Sequence, residues 1–209
     1  MCRDRFSRSL ISFRSVVPIL VIEFDASLQG IGILYYVPGA LRETLIGSCA
    51  VDISNFGFGS EAKYQNSAEF LGPVLGIEGL RELGVTAKSI HLRGDSITAL
   101  SWASTEKFKG ILVSNAAAVF ILQGIISGVS VGGITHLSAE DNWRTDFLSR
   151  GGTIEDLLLK DPKLDKPKKI NIHKQIEILA LCNPRREIVD EKDFRNFWIE
   201  IIEVLQSQI

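Results

Sequence analysis

The stretch 17–53, VPILVIEFDASLQGIGILYYVPGALRETLIGSCAVDI, reads as three strands in succession. Residues 17–27 are an apolar run of strand length with Asp25 near its end. Gln29-Gly30 marks a turn, and residues 31–37 (IGILYYV) a second strand. Pro38-Gly39 is a second turn signal, and residues 43–53 a third strand. Strands joined by turns this short pair antiparallel, so the chain opens with a meander.

Downstream the period changes. Asn66 stands three residues before Glu69, in the pattern of a helix N-cap and its capping-box acid. Phe70, Val74, Ile77, Leu80 and Leu83 then recur at helical spacing, and Gly84 falls where a helix ends. Gly72, Pro73, Gly76 and Gly79 oppose that helix by propensity, although small residues also permit close helix–sheet packing. Residues 88–94 predict a short strand leading to Asp95, 96–104 a short helix, and the uncharged 111–127 a buried helix. Residues 129–137 predict the last strand and 142–149 a closing helix. The expected architecture is α/β. It has a five-stranded mixed sheet, an antiparallel meander plus parallel strands, and helices on both faces.

Around this block the composition shifts. Residues 1–17 read as an N-terminal extension or the end of an upstream domain. Arg3, Arg5, Arg8 and Arg14 suit a transit peptide, but Asp4 and the immediate run into a strand leave little room for a removable leader. Residues 18–152 form the main domain. Residues 153–170, containing KDPKLDKPKK, read as a charged linker, and 171–209 as a helical extension with amphipathic stretches at 171–182 and 191–207. The apolar run Val16 to Ile22 is far shorter than the roughly 20 residues a membrane span needs. Cys2, Cys49 and Cys182 are scattered and odd in number, matching neither a disulfide framework nor a zinc spacing. They point to a reducing, intracellular compartment, cytoplasm or nucleus.

The net charge of −2 hides an uneven division. Residues 20–152 carry nine basic and thirteen acidic residues, a balance of −4. Four of those acids occupy related places. Asp25 lies near the end of the first strand, Glu69 in the first turn of the first helix, Asp95 after the fourth strand and Asp146 in the helix after the fifth. In one sheet such positions converge. Four packed carboxylates repel and cannot all ionise without cations. Magnesium prefers oxygen ligands, and two such ions about 3.5–4 Å apart clamp the attacking and leaving oxygens of a phosphodiester. Two bound ions would neutralise the block. Each acid has a plainer role beside this one. Asp25 could shape a turn, Asp95 could cap the helix at 96–104, Glu69 could serve only the capping box, and Asp146 could be a solvated helix acid. Arg93, Lys107, Lys109 and Arg144 are candidate phosphate contacts or simply solvated charges.

The stretches FDASLQGIGI (24–33), NSAEFLG (66–72), LRGDSITALSWA (92–103) and HLSAEDNWRTDFLSR (136–150) together resemble the ribonuclease H domain of retroelement polyproteins. The closing N-x-x-x-D-x-L-S-R, Asn142 to Arg150, is similar to retrotransposon versions. The G-D-S-x-T-A-L-x-W form is similar to elements of the tyrosine-recombinase type. The resemblance covers roughly residues 18–152. It implies a ribonuclease H-like fold, with Asp25, Glu69, Asp95 and Asp146 as catalytic ligands of two Mg2+ ions, for which Mn2+ can substitute. It implies cleavage of the RNA strand of an RNA–DNA hybrid, recognised by backbone shape and the 2′-hydroxyl. It also implies work beside an upstream reverse transcriptase domain, with no membrane partner. Two departures stand out. Thr145 precedes Asp146 where the family carries Ala, and the loop before that motif, Ser138 to Asp141, lacks the histidine of cellular enzymes. His136 sits at the strand end instead.

Three other readings compete. A catalytically inactive or domesticated module would keep the fold without the chemistry, which four intact acids argue against. An actin-like ATPase shares the opening pattern but needs a longer chain. A dinucleotide site is weaker still, since Gly30 and Gly32 lie between two strands rather than opening a helix.

Overall fold

The computed structural model describes residues 20–56, 64–108, 113–172, 174–184, 186 and 188–206. The meander is β1 (Leu20–Ala26), β2 (Gly30–Val37) and β3 (Thr44–Asp52). α1 (Gln65–Leu83) leads to β4 (Ser89–Gly94), then α2 (Ile97–Thr105), α3 (Ser114–Ser127), β5 (Ser130–His136) and α4 (Trp143–Ser149). The chain continues through α5 (Ile154–Lys160), β6 (Lys168–Lys169), α6 (Gln175–Leu181) and α7 (Glu191–Gln206).

The sheet order is β5-β4-β1-β2-β3-β6. β1, β2 and β3 pair antiparallel, while β4 lies parallel to β1 and β5 parallel to β4. This is the ribonuclease H-like arrangement, with the first strand at the centre. β1 is buried along its whole length because both faces are covered. Leu20, Ile22, Phe24 and Ala26 enter the core beneath α1, α2 and α3. Val21 joins Leu34, Tyr36, Leu148, Ile154 and Leu157 in a second core beneath α4 and α5. Among the described residues, no helix is long and apolar enough to cross a membrane.

The sheet has six strands where five were expected. Lys168 and Lys169 pair in parallel with Gly47 and Ser48 of β3. Two lysines carry no alternating apolar signal, yet lysine is a residue that sheet edges tolerate. Residues 153–170, expected as a linker, thus hold a helix and a strand. Thr153 caps α5 by accepting from the Asp156 amide at 3.1 Å. The amphipathic stretches further on pack on the chain's own core. Ile178, Leu181, Phe197, Ile201 and Leu205 are buried in the same cluster as Phe24 and Phe70. Each such side chain stabilises the fold by about 1.5–3 kcal/mol when fully buried.

α1 tolerates Pro73 and its glycines because tertiary packing outweighs propensity. A Cβ on Gly72 would stand 2.4 Å from the Phe24 ring. Glycine therefore lets the helix lie directly on β1. The same holds on the other face, where a Cβ on Gly32 would meet the Thr145 carbonyl oxygen at 2.3 Å. Gly32 is the cross-strand partner of Asp25, so α4 approaches the sheet beside that acid.

Candidate metal centre

Asp25 and Asp95 are brought together by adjacent parallel strands. The register Glu23↔Arg93 continues toward Asp25 on one strand and Asp95 just beyond the other. Glu69 reaches them from the second turn of α1. One oxygen from each of Asp25, Glu69 and Asp95 lies within 4.8 Å of the others. Oxygens bound to one Mg2+ at about 2.1 Å can be at most about 4.2 Å apart, so a small contraction would close them on an ion.

Asp25 and Glu69 are 4% and 7% exposed, and Asp95 is half-buried. Burial pushes the Asp25 carboxyl up to about 7. The Ser149 hydrogen bond opposes the rise, while the charges of Asp95 and Asp146 add to it. Burial likewise pushes Glu69 up to about 8, with the Asp25 charge adding to it and the Gln65 hydrogen bond opposing. At Asp25 the nearby charge of Arg150 is outweighed by those of Asp95 and Asp146. A divalent cation would reverse both shifts.

The surrounding hydrogen bonds leave a place for such a cation. Asn142 Nδ2 donates to Asp25 Oδ1 at 3.0 Å, and Ser149 Oγ donates to Oδ2 at 2.7 Å. Both donors come from the α4 region and are fully buried. Thr145 Oγ1 donates to Asn142 Oδ1 at 2.8 Å, and Ser27 Oγ to the Ser149 carbonyl at 2.7 Å. Gln65 Nε2 donates to Glu69 Oε1 at 2.8 Å and bridges to the Ala26 carbonyl at 3.2 Å. Glu69 Oε2 remains buried with no hydrogen-bond partner. A buried acceptor in that state is costly until a proton or cation takes it. An all-oxygen donor set with such an orphan fits a hard divalent cation.

Asp146 stands apart from the group of three. Its Oδ1 accepts from Arg150 Nε at 2.7 Å, one helical turn on, although its charge still reaches Asp25. The plainer roles fall elsewhere. Ser96, rather than Asp95, caps α2 through the Ala99 amide at 3.3 Å. α1 begins at Gln65 with Tyr64 before it, so the expected Asn66 cap is displaced into the first turn. Glu69, in the second turn, is held by the side chain four residues back. Gln65 was missed in the sequence, although a Gln–Glu pair at that spacing is a recognisable helix-surface contact.

Arg93 grips Glu43 with both terminal nitrogens. Arg144 bonds Asp161 through Nε at 3.1 Å and Nη2 at 2.7 Å. Both flank Glu23, a second buried acid of β1, and their charges counter the rise that burial imposes on it. Lys107 is exposed beyond the end of α2, and Lys109 lies outside the described residues. His136 Nε2 is 3.0 Å from the Asp95 carbonyl oxygen, so it can steady the backbone that carries that ligand.

No protein-family model matches the chain, and no curated protein matches it. Among solved structures it is similar to RNase H1 from the halophilic archaeon Halobacterium salinarum NRC-1. The identity is 17% and the TM-score 0.46, over 66% of this chain and 98% of that one. LC11-RNase H1, solved in complex with an RNA/DNA hybrid, gives 17%, 0.46, 66% and 99%. The N-terminal RNase H domain of rv2228c from Mycobacterium tuberculosis gives 19%, 0.42, 64% and 97%.

Proposed function

We propose that the chain is a metal-dependent endonuclease that cuts the RNA strand of RNA–DNA hybrids. In this reading Asp25, Glu69, Asp95 and Asp146 hold two Mg2+ ions, with Mn2+ able to substitute. The observation that carries it is the Asp25–Glu69–Asp95 cluster, in which one oxygen of each acid lies within 4.8 Å of the others and Glu69 Oε2 is buried without a hydrogen-bond partner. The substrate class rests on the four motif stretches between residues 24 and 150. The same stretches support a place in retroelement reverse transcription, beside a reverse transcriptase domain.

Bound ions would supply the charge that polarises the phosphodiester and activates water. The chain's own residues hold the ligands ready. Asn142 and Ser149 fix both oxygens of Asp25, so its carboxylate cannot rotate away. Gln65 fixes one oxygen of Glu69 and presents the other. His136 steadies Asp95 from behind. Lys107 and Lys109 are proposed as phosphate contacts on the sequence alone. Arg93 and Arg144, paired with Glu43 and Asp161, would have to leave those acids to join them.

Cleavage of a labelled hybrid by purified protein, with Mg2+, Mn2+ or chelator, tests this reading. Metal-dependent cutting of the RNA strand alone, absent in Asp25→Asn, is the expected result. No cutting by well-folded protein would leave an inactive module that keeps the fold.

A further inference from the structure

Far from the metal centre, α1 buries another carboxylate, Glu78, at 1% exposure. Its Oε2 accepts from Arg81 Nη1 at 3.4 Å and from Gln123 Nε2, on α3, at 3.5 Å, both long. Its Oε1 is buried with no hydrogen-bond partner. Arg81 Nη1 also donates to the Leu205 carbonyl, in the last turn of α7, at 3.1 Å. Lys174, just ahead of α6, donates through Nζ to the neighbouring carbonyl of Val204. The last carbonyls of a helix have no donor within it and carry the negative end of its dipole. Two cations there latch α7 to the rest of the chain. One nitrogen of Arg81 touches both the helix end and Glu78, so the buried acid lies beside the latch.

A carboxylate with one oxygen unpartnered in a dry interior is costly when ionised and much less so when protonated. The groups around it do not remove that cost. Arg81 and Lys174 supply positive charge, α3 supplies the neutral Gln123, and Tyr35 of β2 lies alongside, its Oη 1.9 Å from where a Cβ on Gly79 would stand. Burial still raises the Glu78 carboxyl above its ordinary 4.5, with Arg81 and Lys174 opposing the rise. Lifting the last turns of α7 would let water reach Oε1. We propose that Glu78 is a proton-operated control on the C-terminal helix: protonated, it leaves α7 seated, and ionised, it favours release of the turns that bury Phe197, Ile201 and Leu205. The sign follows from linkage. The seated state binds the proton more tightly than the released state, so seating weakens as pH rises.

Amide hydrogen exchange of the full chain tests this, read by mass spectrometry at pH 5 and pH 8 and corrected for the intrinsic pH dependence of exchange. Residues 197–205 report α7, and β1 reports the whole fold. In the native protein, protection of α7 should fall about tenfold between the two pH values, the change worth one unit of difference in pKa. Glu78→Gln, a neutral isostere, should keep its pH 5 protection at pH 8, about tenfold above native. Arg81→Met should lower the protection of α7 at both pH values and leave β1 unchanged. Lys174→Met acts on the same row of carbonyls and serves if Arg81→Met does not fold. Exchange of α7 in Glu78→Gln as fast as native at pH 8, or faster, overturns the proton control. Native protection of α7 in the cation variant, or α7 and β1 opening together as one unit, overturns the latch.

Discussion

Glu23 and Asp25 stand two residues apart on the same face of β1, and each is 4% exposed. Burial raises both to about 7. Their neighbours differ in sign. Asp25 faces other carboxylates, Asp95 and Asp146, and its two oxygens are held by neutral donors. Glu23 faces Arg144 and Arg93, which ease its ionisation from within the protein. A perturbed acid is therefore a weak marker of a metal site on its own. What separates the two is the balance of neighbouring charge. Two arginines ease the ionisation of Glu23, whereas for Asp25 the one opposing cation, Arg150, counts for less than Asp95 or Asp146.

The sharpest way to break that contrast is activity. Asp25→Asn should lower kcat for hybrid cleavage about 10³-fold, at the upper end for loss of a single transition-state contact. Glu23→Gln should stay within about threefold of native, as expected for a group outside the reaction. Equal inactivation of both, with circular dichroism unchanged, would put Glu23 in the site. Next in size is the support of Asp25. Asn142→Ala should weaken Mn2+ binding about ten- to a hundredfold, the usual loss when a ligand's hydrogen-bond partner is removed. An unchanged affinity by calorimetry would mean that Ser149 alone orients the ligand.

A smaller effect lies in the pH dependence of stability without divalent ions. Asp25, Glu69 and Glu23 keep their protons to about 7, 8 and 7 in the folded chain, well above their ordinary values near 4. The unfolded chain therefore binds fewer protons between about pH 4 and 8, and stability falls as pH rises through that window. Melting temperatures with chelator should be higher at pH 5 than at pH 8. Mn2+ should remove the part due to Asp25 and Glu69, while Glu23→Gln should remove its own part with or without the ion. A slope untouched by Mn2+ would count against the cluster as a cation site. Smallest of all, Glu23→Leu should raise stability at pH 8 by about 1 kcal/mol. Burying an apolar group there is favourable once Arg93 and Arg144 keep Glu43 and Asp161 as partners. A fall in denaturant midpoint would show that the arginines depend on Glu23.

Most of the frame was legible in the sequence because it rests on period. Alternating and continuous apolar runs announced β1 to β5, and the 3.6-residue recurrence announced α1 despite Pro73. The convergence of Asp25, Glu69 and Asp95 followed from their places at strand ends and a helix start. Asp146 was expected with them, but it lies outside the group of three and its Oδ1 accepts from Arg150. β6 escaped notice because two lysines have no pattern to read. The amphipathic stretches of α6 and α7 declared an apolar face but not its partner, which proved to be the core of the same chain. Gly32 carries no signal of its own, and only the approach of Thr145 shows why nothing larger fits there.

The sixth strand has a consequence for synthesis. β3 is complete at Asp52, but the lysines that cover its outer edge come at 168 and 169. About 115 residues must be added in between, which takes roughly 6 to 23 s at translation rates of 5–20 residues per second. Through that interval the nascent meander has a bare margin, a template on which another unfinished chain could add a strand. Crowded polysomes, or a pause between β3 and β6, should be the condition under which this protein aggregates.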